Sequence, residues 1–106
     1  MRLEPWLLLV LDHDDLHGYE LLIRLERLAG APTADAGNVY RTLRRLEQQG
    51  AVASTWEEGV KAGPARRTYT LTEEGRRVLA AWATHIAAAQ RSLAAFLQRY
   101  GEDEPT

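Results

Sequence analysis

The chain has 106 residues, enough for one domain with a hydrophobic core, and 45% of them are hydrophobic, as is typical of a globular protein. Its formal net charge is −2, and the absence of cysteine excludes disulfides, thiolate nucleophiles and zinc–cysteine sites. The longest apolar run, residues 6–11, is too short to span a membrane, and no cleavage-site pattern follows it. We therefore expect a cytoplasmic protein without a signal peptide.

Three helices are predicted in the first half of the chain. Residues 3–11 are almost wholly apolar, which predicts a helix buried on most sides. After a polar break at residues 12–15, residues 16–28 carry leucines at helical spacing, which predicts a second helix that Gly30 ends. A third helix is expected to start near Asp35, a good N-cap, and to stop before Gly50. The apolar stripe of this third helix is expected to comprise Ala36, Val39, Leu43 and Leu46.

The period of the sequence then changes to that of strands. Residues 52–58 and 66–71 predict a β-hairpin, joined by a Gly- and Pro-containing loop. Thr72 is expected to cap a final helix that runs to about Tyr100 and ends at Gly101. The predicted fold is mostly α with a small β-hairpin: a winged helix-turn-helix over residues 1–72, a long C-terminal dimerisation helix over 73–101 and an acidic tail over 102–106.

The third helix has a polar side opposite its apolar stripe. Asn38, Arg41, Arg44 and Arg45 lie there, and such side chains suit a helix that enters the DNA major groove. Asn38 and Arg41, near the N-terminus, are predicted to read bases, whereas Arg44 and Arg45 are predicted to bind phosphates. An ordinary surface helix with a solvated arginine face is the alternative.

Basic residues of the hairpin favour the nucleic-acid interpretation. Lys61, Arg66 and Arg67 could lie along the phosphate backbone beside the groove. Between residues 41 and 67 there are six Lys or Arg residues and three acids, so this part is basic although the whole chain is not.

Three blocks of the sequence together resemble the PadR family of transcriptional regulators, over roughly residues 3–82. The blocks are His17-Gly18-Tyr19-Glu20-Leu21, Val39-Tyr40-x-x-Leu43-Arg44-Arg45-Leu46-Glu47 and Tyr69-x-Leu71-Thr72-Glu73-Glu74-Gly75. The short final helix is similar to the subgroup that lacks a larger C-terminal domain. The resemblance implies a homodimeric repressor that binds inverted-repeat operators in double-stranded DNA and leaves them when a small, often aromatic, molecule binds.

The resemblance also implies roles for individual residues. His17 and Tyr19 are expected near the DNA backbone, and Tyr40 is expected to support helix packing and to touch DNA. The chain departs from the family pattern at Ala36 and Arg41, where proline is frequent, and at Asn38, where threonine is common. The operator is therefore not expected to follow the usual pattern of the family.

The final helix carries the strongest periodicity of the chain. Apolar residues alternate at spacings of three and four, which predicts packing along a partner helix in a homodimer. They are Leu79, Trp82, Ile86, Ala89, Leu93, Phe96 and Tyr100. Packing of this stripe on its own domain is the alternative. Trp6, Trp82 and Ile86 are candidates for an aromatic ligand site between subunits, with simple interface packing as the alternative.

No set of residues in the sequence suits catalysis. There is no nucleophile with a base and an orienting group, and no glycine-rich phosphate loop, so we expect neither an enzyme nor a bound cofactor. The acidic cluster at residues 12–15 lacks the spacing of a metal motif. Two other functions stay open: a winged-helix module that binds a protein, which the net charge favours, and a dimer that binds small molecules without a specific operator.

Overall fold

The computed structural model of the protein describes residues 2–57 and 66–103. In chain order these residues form α1 (Glu4–Leu11), β1 (Leu16–His17), α2 (Gly18–Arg27), α3 (Ala36–Gln48), β2 (Val52–Glu57), β3 (Arg66–Leu71) and α4 (Glu73–Asp103). The predicted fold class, four helices with a hairpin between the third and the fourth, is confirmed. The hairpin loop with Lys61, the end of the predicted first strand at Glu58 and residues 104–106 of the tail lie outside the described residues.

A third strand that the sequence did not predict enlarges the hairpin. Leu16 and His17, expected in the second helix, pair instead with Tyr69 and Thr68, which gives an antiparallel sheet in the order β1-β3-β2. The physical reason is that β2 covers only one edge of β3, so the short strand supplies partners for the other edge. The second helix therefore begins only at Gly18.

The core lies between the sheet and helices α1, α2 and α3. Its largest fully buried side chains are Leu7, Leu8, Leu21, Val39, Leu43, Leu46 and Val52. Helix α1 packs against all three other helices and against β3, which confirms that this apolar segment is buried on most sides. Val78, Leu79 and Trp82, from the first turns of α4, pack against the edge of this core.

Helix α3 begins where Asp35 was predicted to cap it. The Asn38 backbone N–H donates to Asp35 Oδ1 over 2.8 Å. The predicted apolar stripe needs one correction: Ala36 is exposed, because the core begins one turn later at Val39. Thr42 takes its place among the buried residues, and its hydroxyl donates to the Asn38 carbonyl over 2.8 Å, so the polar group is satisfied.

The start of α4 is fixed by a tight contact with the beginning of β2. Thr72 caps the helix as predicted, because its Oγ1 accepts from the Gly75 N–H at 2.9 Å. Gly75 lies so close to the Ala51 carbonyl that a Cβ at this position would overlap the oxygen. The helix continues through Gly101 to Asp103, so the predicted end is wrong: Gly101 does not adopt the positive φ that ends a helix.

Candidate functional site

The polar side of α3 faces away from the core. Val39 and Leu43 are fully buried, whereas Asn38, Arg41 and Arg44 are exposed. This is the amphipathic arrangement that the sequence predicts: an apolar side that holds the helix in place and a side of hydrogen-bond donors that is open to a partner.

Arg41 extends toward the first turn of α3. Its Nη1 lies 3.4 Å from the position that a Cβ would take at Gly37, and Asp35 Oδ1 lies at the same distance from that position. The small residue at position 37 therefore leaves room for the guanidinium near the N-terminus of the helix. Gly37 was not among the predicted site residues, because its importance depends on the conformation of Arg41.

Arg45 is engaged within the protein by an ion pair with Glu4. Its Nη1 donates to Glu4 Oε1 over 2.7 Å, and the Arg45 side chain stays 52% exposed. Glu4 is almost completely buried at the start of α1, and its second oxygen accepts from Arg2. The sequence predicts a phosphate contact for Arg45, whereas the structure uses its guanidinium to tie α3 to α1.

A groove of about 470 Å³ separates the start of α2 from the wing, which we define as strands β2 and β3. It brings together five of the ten residues that were predicted to contact DNA: His17, Tyr19, Tyr40, Arg66 and Arg67. Among the described residues, Gly18, Glu20 and Trp56 also line it. Asn38, Arg41, Arg44 and Arg45 do not line the groove, and Lys61 is not among the described residues.

Tyr40, which lines this groove, joins α3 to the start of α2. Its ring packs so closely over Gly18 that a Cβ there would overlap it, while 43% of the residue stays exposed. The tyrosine therefore supports helix packing, as the family resemblance implies, and still presents surface to the groove. Tyr19, 67% exposed, stands beside it.

His17 is held by its neighbours rather than presented to solvent. Its Nδ1 lies 3.1 Å from Thr68 Oγ1, and its Nε2 lies 3.7 Å from a carboxylate oxygen of both Glu20 and Glu57. The His17 N–H donates to Glu20 over 3.0 Å. These contacts connect α2 to both wing strands, so the histidine orients the groove.

The wing carries an aromatic residue that the sequence analysis did not assign to the site. Trp56 is 61% exposed, and the guanidinium carbon of Arg67 lies 4.8 Å from its ring centroid. The two residues are direct partners in the register of β2 and β3. Only the strand register brings them together, and a hairpin of unknown loop geometry does not reveal that register in sequence.

The apolar stripe of α4 divides into two parts. Leu79 and Trp82 are partly buried against the core of their own domain, in agreement with the alternative that the sequence left open. Beyond them the stripe is unpartnered: Ile86 is 49% exposed, and Leu93 and Phe96 are each 65% exposed. Ala89 and Tyr100 are also exposed, as is Leu97, which the sequence analysis left out of the stripe.

A second groove, of about 370 Å³, runs between α1 and α4. It brings together the three candidate ligand residues, Trp6, Trp82 and Ile86, with a largely aliphatic surround that includes Leu9 and Leu79. The Arg2 guanidinium carbon lies 5.3 Å from the Trp82 ring centroid. The lining is mostly apolar, as in sites for small organic molecules.

Residues 2–57 and 66–103, which the structure describes, lack two features. No helix among them is long and apolar enough to cross a membrane. No three of their His, Asp or Glu side chains cluster in a way that would hold a metal ion.

Several solved structures share this fold. A PadR family transcription regulator from hypervirulent Clostridium difficile R20291 has a TM-score of 0.79 and 22% identity, covering 90% of this chain and 97% of that one. Bacillus subtilis PadR, solved in complex with operator DNA, has a TM-score of 0.70 and 23% identity, covering 76% and 46%. A PadR family transcriptional regulator from Eggerthella lenta DSM 2243 has a TM-score of 0.65 and 30% identity, covering 92% and 82%.

Sequence comparison agrees with the structural likeness. The chain is 38% identical over 71 residues to the transcriptional regulator YqjI of Escherichia coli (strain K12), covering 66% of this chain and 32% of that protein. It thus spans about a third of the length of this curated relative. The model of the transcriptional regulator PadR-like family matches residues 7–81. The chain therefore belongs to the PadR-like family of transcriptional regulators, whose members are not enzymes.

Proposed function

We propose that the chain is a homodimeric DNA-binding regulator that represses transcription and leaves its operator when a small aromatic ligand binds. Two observations carry the proposal. Tyr19, Tyr40, Arg66 and Arg67 line one groove. Next to Tyr40, α3 presents Asn38, Arg41 and Arg44 to solvent while its opposite side is buried. Such a regulator works on the chromosome, so we assign it to the cytoplasm. Operator DNA in the solved Bacillus subtilis PadR complex supports this proposal.

Within this interface the residues take different parts. Asn38 and Arg41, on the first turns of α3, are assigned to base edges in the major groove, since the N-terminal part of a recognition helix reaches the bases. Arg44 is assigned to phosphates, together with Arg66 of the wing. Residues 1–72 then serve as the DNA-binding unit and α4, Glu73–Asp103, serves as the dimerisation helix.

The test is fluorescence anisotropy of the purified chain on labelled DNA from upstream of its own gene, against scrambled DNA over a salt series. Tight binding to the upstream DNA alone, with steep salt dependence, is the expected result. Arg44→Ala should weaken binding to every sequence, whereas Asn38→Ala should also relax sequence preference. Arg91→Ala, on an exposed turn of α4, is the matched control. Absence of binding to either DNA at low salt would refute the proposal and favour a protein-binding module.

Dimerisation supplies the two-fold symmetry that an inverted repeat requires. The exposed part of the α4 stripe, from Ile86 to Tyr100, has the periodicity of a helix–helix interface. In a dimer formed through it, two α3 helices would meet successive turns of one DNA face, about 34 Å apart.

The groove between α1 and α4 is the proposed effector site. Its tryptophans, Trp6 and Trp82, offer flat apolar surface to a planar ring, and Ile86 at its edge belongs to the unpartnered stripe. Binding of the dye anilinonaphthalene sulfonate, followed by its fluorescence, tests the site. Trp82→Ala should abolish dye binding if the groove takes aromatic molecules, and Trp56→Ala, outside the groove, should leave it unchanged. Equal dye binding by both variants would refute this assignment.

A further inference from the structure

Trp56 is an aromatic side chain that the core does not use. It lies on β2 with 61% of its surface exposed, and it is absent from the cluster of residues that form or flank the core. A tryptophan normally buries a large area, so an indole left in water on a strand contributes little to stability through burial. Among the described residues, the ring interacts with Arg67, whose guanidinium carbon lies 4.8 Å from the ring centroid.

The contact with Trp56 restricts the orientation of the Arg67 guanidinium. A guanidinium against an aromatic face is bound by cation–π attraction on its flat side, and its N–H groups remain available at the edge. The planar edge matches two phosphate oxygens at once. The ion pairs between described residues engage other side chains, such as Arg45 with Glu4 and Arg77 with Glu74, and none of them involves Arg67.

The position of this pair is also informative. Trp56 and Arg67 line the same groove as Tyr19 and Tyr40, which are on the helical side. A DNA strand that follows α3 would therefore pass next to the wing at this point. The groove is also lined by Glu20, so an arginine that is fixed near the phosphates offsets a repulsive charge.

We propose that Trp56 is a positioning residue: its indole holds the Arg67 guanidinium flat so that the N–H edge binds a DNA backbone phosphate. The inference rests on the proposed DNA-binding function. The partner is the phosphate backbone and not a base, so the contact adds affinity to every sequence and does not select an operator.

A double-mutant cycle on the full-length chain tests the proposal. Affinity is measured by anisotropy for a fluorescein-labelled random-sequence duplex, since a backbone contact needs no operator. Trp56→Ala should weaken binding about twofold to fivefold for each wing on the duplex, the equivalent of one exposed cation–π contact. Arg67→Ala should weaken it further and lower the slope of log K against log salt by about 0.9 per wing. The double variant should bind like Arg67→Ala alone, because the indole acts through the guanidinium.

Conservative variants separate positioning from a general structural role. Trp56→Phe keeps an aromatic face and should restore most of the affinity, whereas Trp56→Leu should not. Thermal unfolding of these variants should stay close to that of the unaltered chain, because the indole is exposed.

Three outcomes would overturn the inference. Additive effects of Trp56→Ala and Arg67→Ala would mean that the indole touches DNA directly, and full activity of Trp56→Ala would mean that the pair has no part in binding. Failure of the unaltered chain to bind the duplex at low salt would instead remove the proposed function, and this inference with it. Failure of this inference is thus distinguishable from failure of the proposed function.

Discussion

Replacing Phe96 with alanine is expected to weaken the proposed dimer without harming the fold of the monomer. In a single chain 65% of Phe96 is exposed, so the phenyl ring does not support the domain core. Full burial of such a side chain stabilises by about 1.5–3 kcal/mol, and two-thirds of that is about 1–2 kcal/mol for each chain. Two-fold symmetry buries two copies, so the loss should be about 2–4 kcal/mol for each dimer.

This free energy corresponds to a dissociation constant that rises roughly 30-fold to 1,000-fold. Sedimentation equilibrium over a concentration series measures it directly. Arg91→Ala is the control, because Arg91 is exposed on the same helix away from the stripe and should leave the constant unchanged. An unchanged dissociation constant for Phe96→Ala, or a chain that stays monomeric at all concentrations, would refute the assignment of the stripe to the interface.

Three further predictions concern stability and DNA contact. Gly75→Ala should destabilise the domain by about 1–3 kcal/mol, because the new methyl group would overlap the Ala51 carbonyl, and thermal unfolding measures this. Leu43→Ala, at a fully buried position of α3, should lower the free energy of unfolding in urea by about 2–5 kcal/mol. Arg45→Ala should weaken DNA binding less than Arg44→Ala does in anisotropy titrations, because the Arg45 guanidinium is already bound within the protein.

Each of these three predictions has a control variant or a result that would contradict it. Gly101→Ala places the same methyl group on α4 with nothing within 4 Å, so it should not destabilise; equal melting temperatures for both glycine variants would contradict the proposed overlap. Leu97→Ala is the control for Leu43, since its side chain is 65% exposed in the monomer and its effect should fall on dimerisation. A larger loss of DNA affinity for Arg45→Ala than for Arg44→Ala would show that Arg45 leaves Glu4 to reach DNA.

Local patterns predicted most of the fold. The leucine spacing of α2, the Asp35 cap of α3 and the Thr72 cap of α4 all depend on residues within one or two turns, and all three are present in the structure. The strand at Leu16 and His17 was not predicted, because two residues carry no periodicity and the pairing partner lies some fifty positions later. Strands of this length are specified by the edge that they meet.

The candidate site was predictable in its residue types and less so in its contacts. Helical spacing correctly separates Asn38, Arg41 and Arg44 from the buried side of α3. The same spacing also places Arg45 on the polar side, but its guanidinium donates a hydrogen bond to Glu4, 41 positions earlier. The role of Trp56 was not predicted for a similar reason, because it depends on Arg67, its neighbour across the strand pair. Long side chains contact residues of other helices and strands, and the periodicity of the sequence does not predict those contacts.

Helix α4 uses one face both to close the domain and to present the unpartnered stripe. Leu79 and Trp82 pack on the core, and Ile86 follows after a single turn. A one-residue insertion between them would rotate the exposed stripe by about 100° relative to the domain, whereas seven residues would nearly restore its direction. Insertions that approach a whole number of turns, such as seven or eleven residues, therefore keep the direction of the stripe, and seven residues would carry the domain about 10 Å farther from it. In the proposed dimer, the phase of this helix would thus set the angle between each DNA-binding unit and the interface.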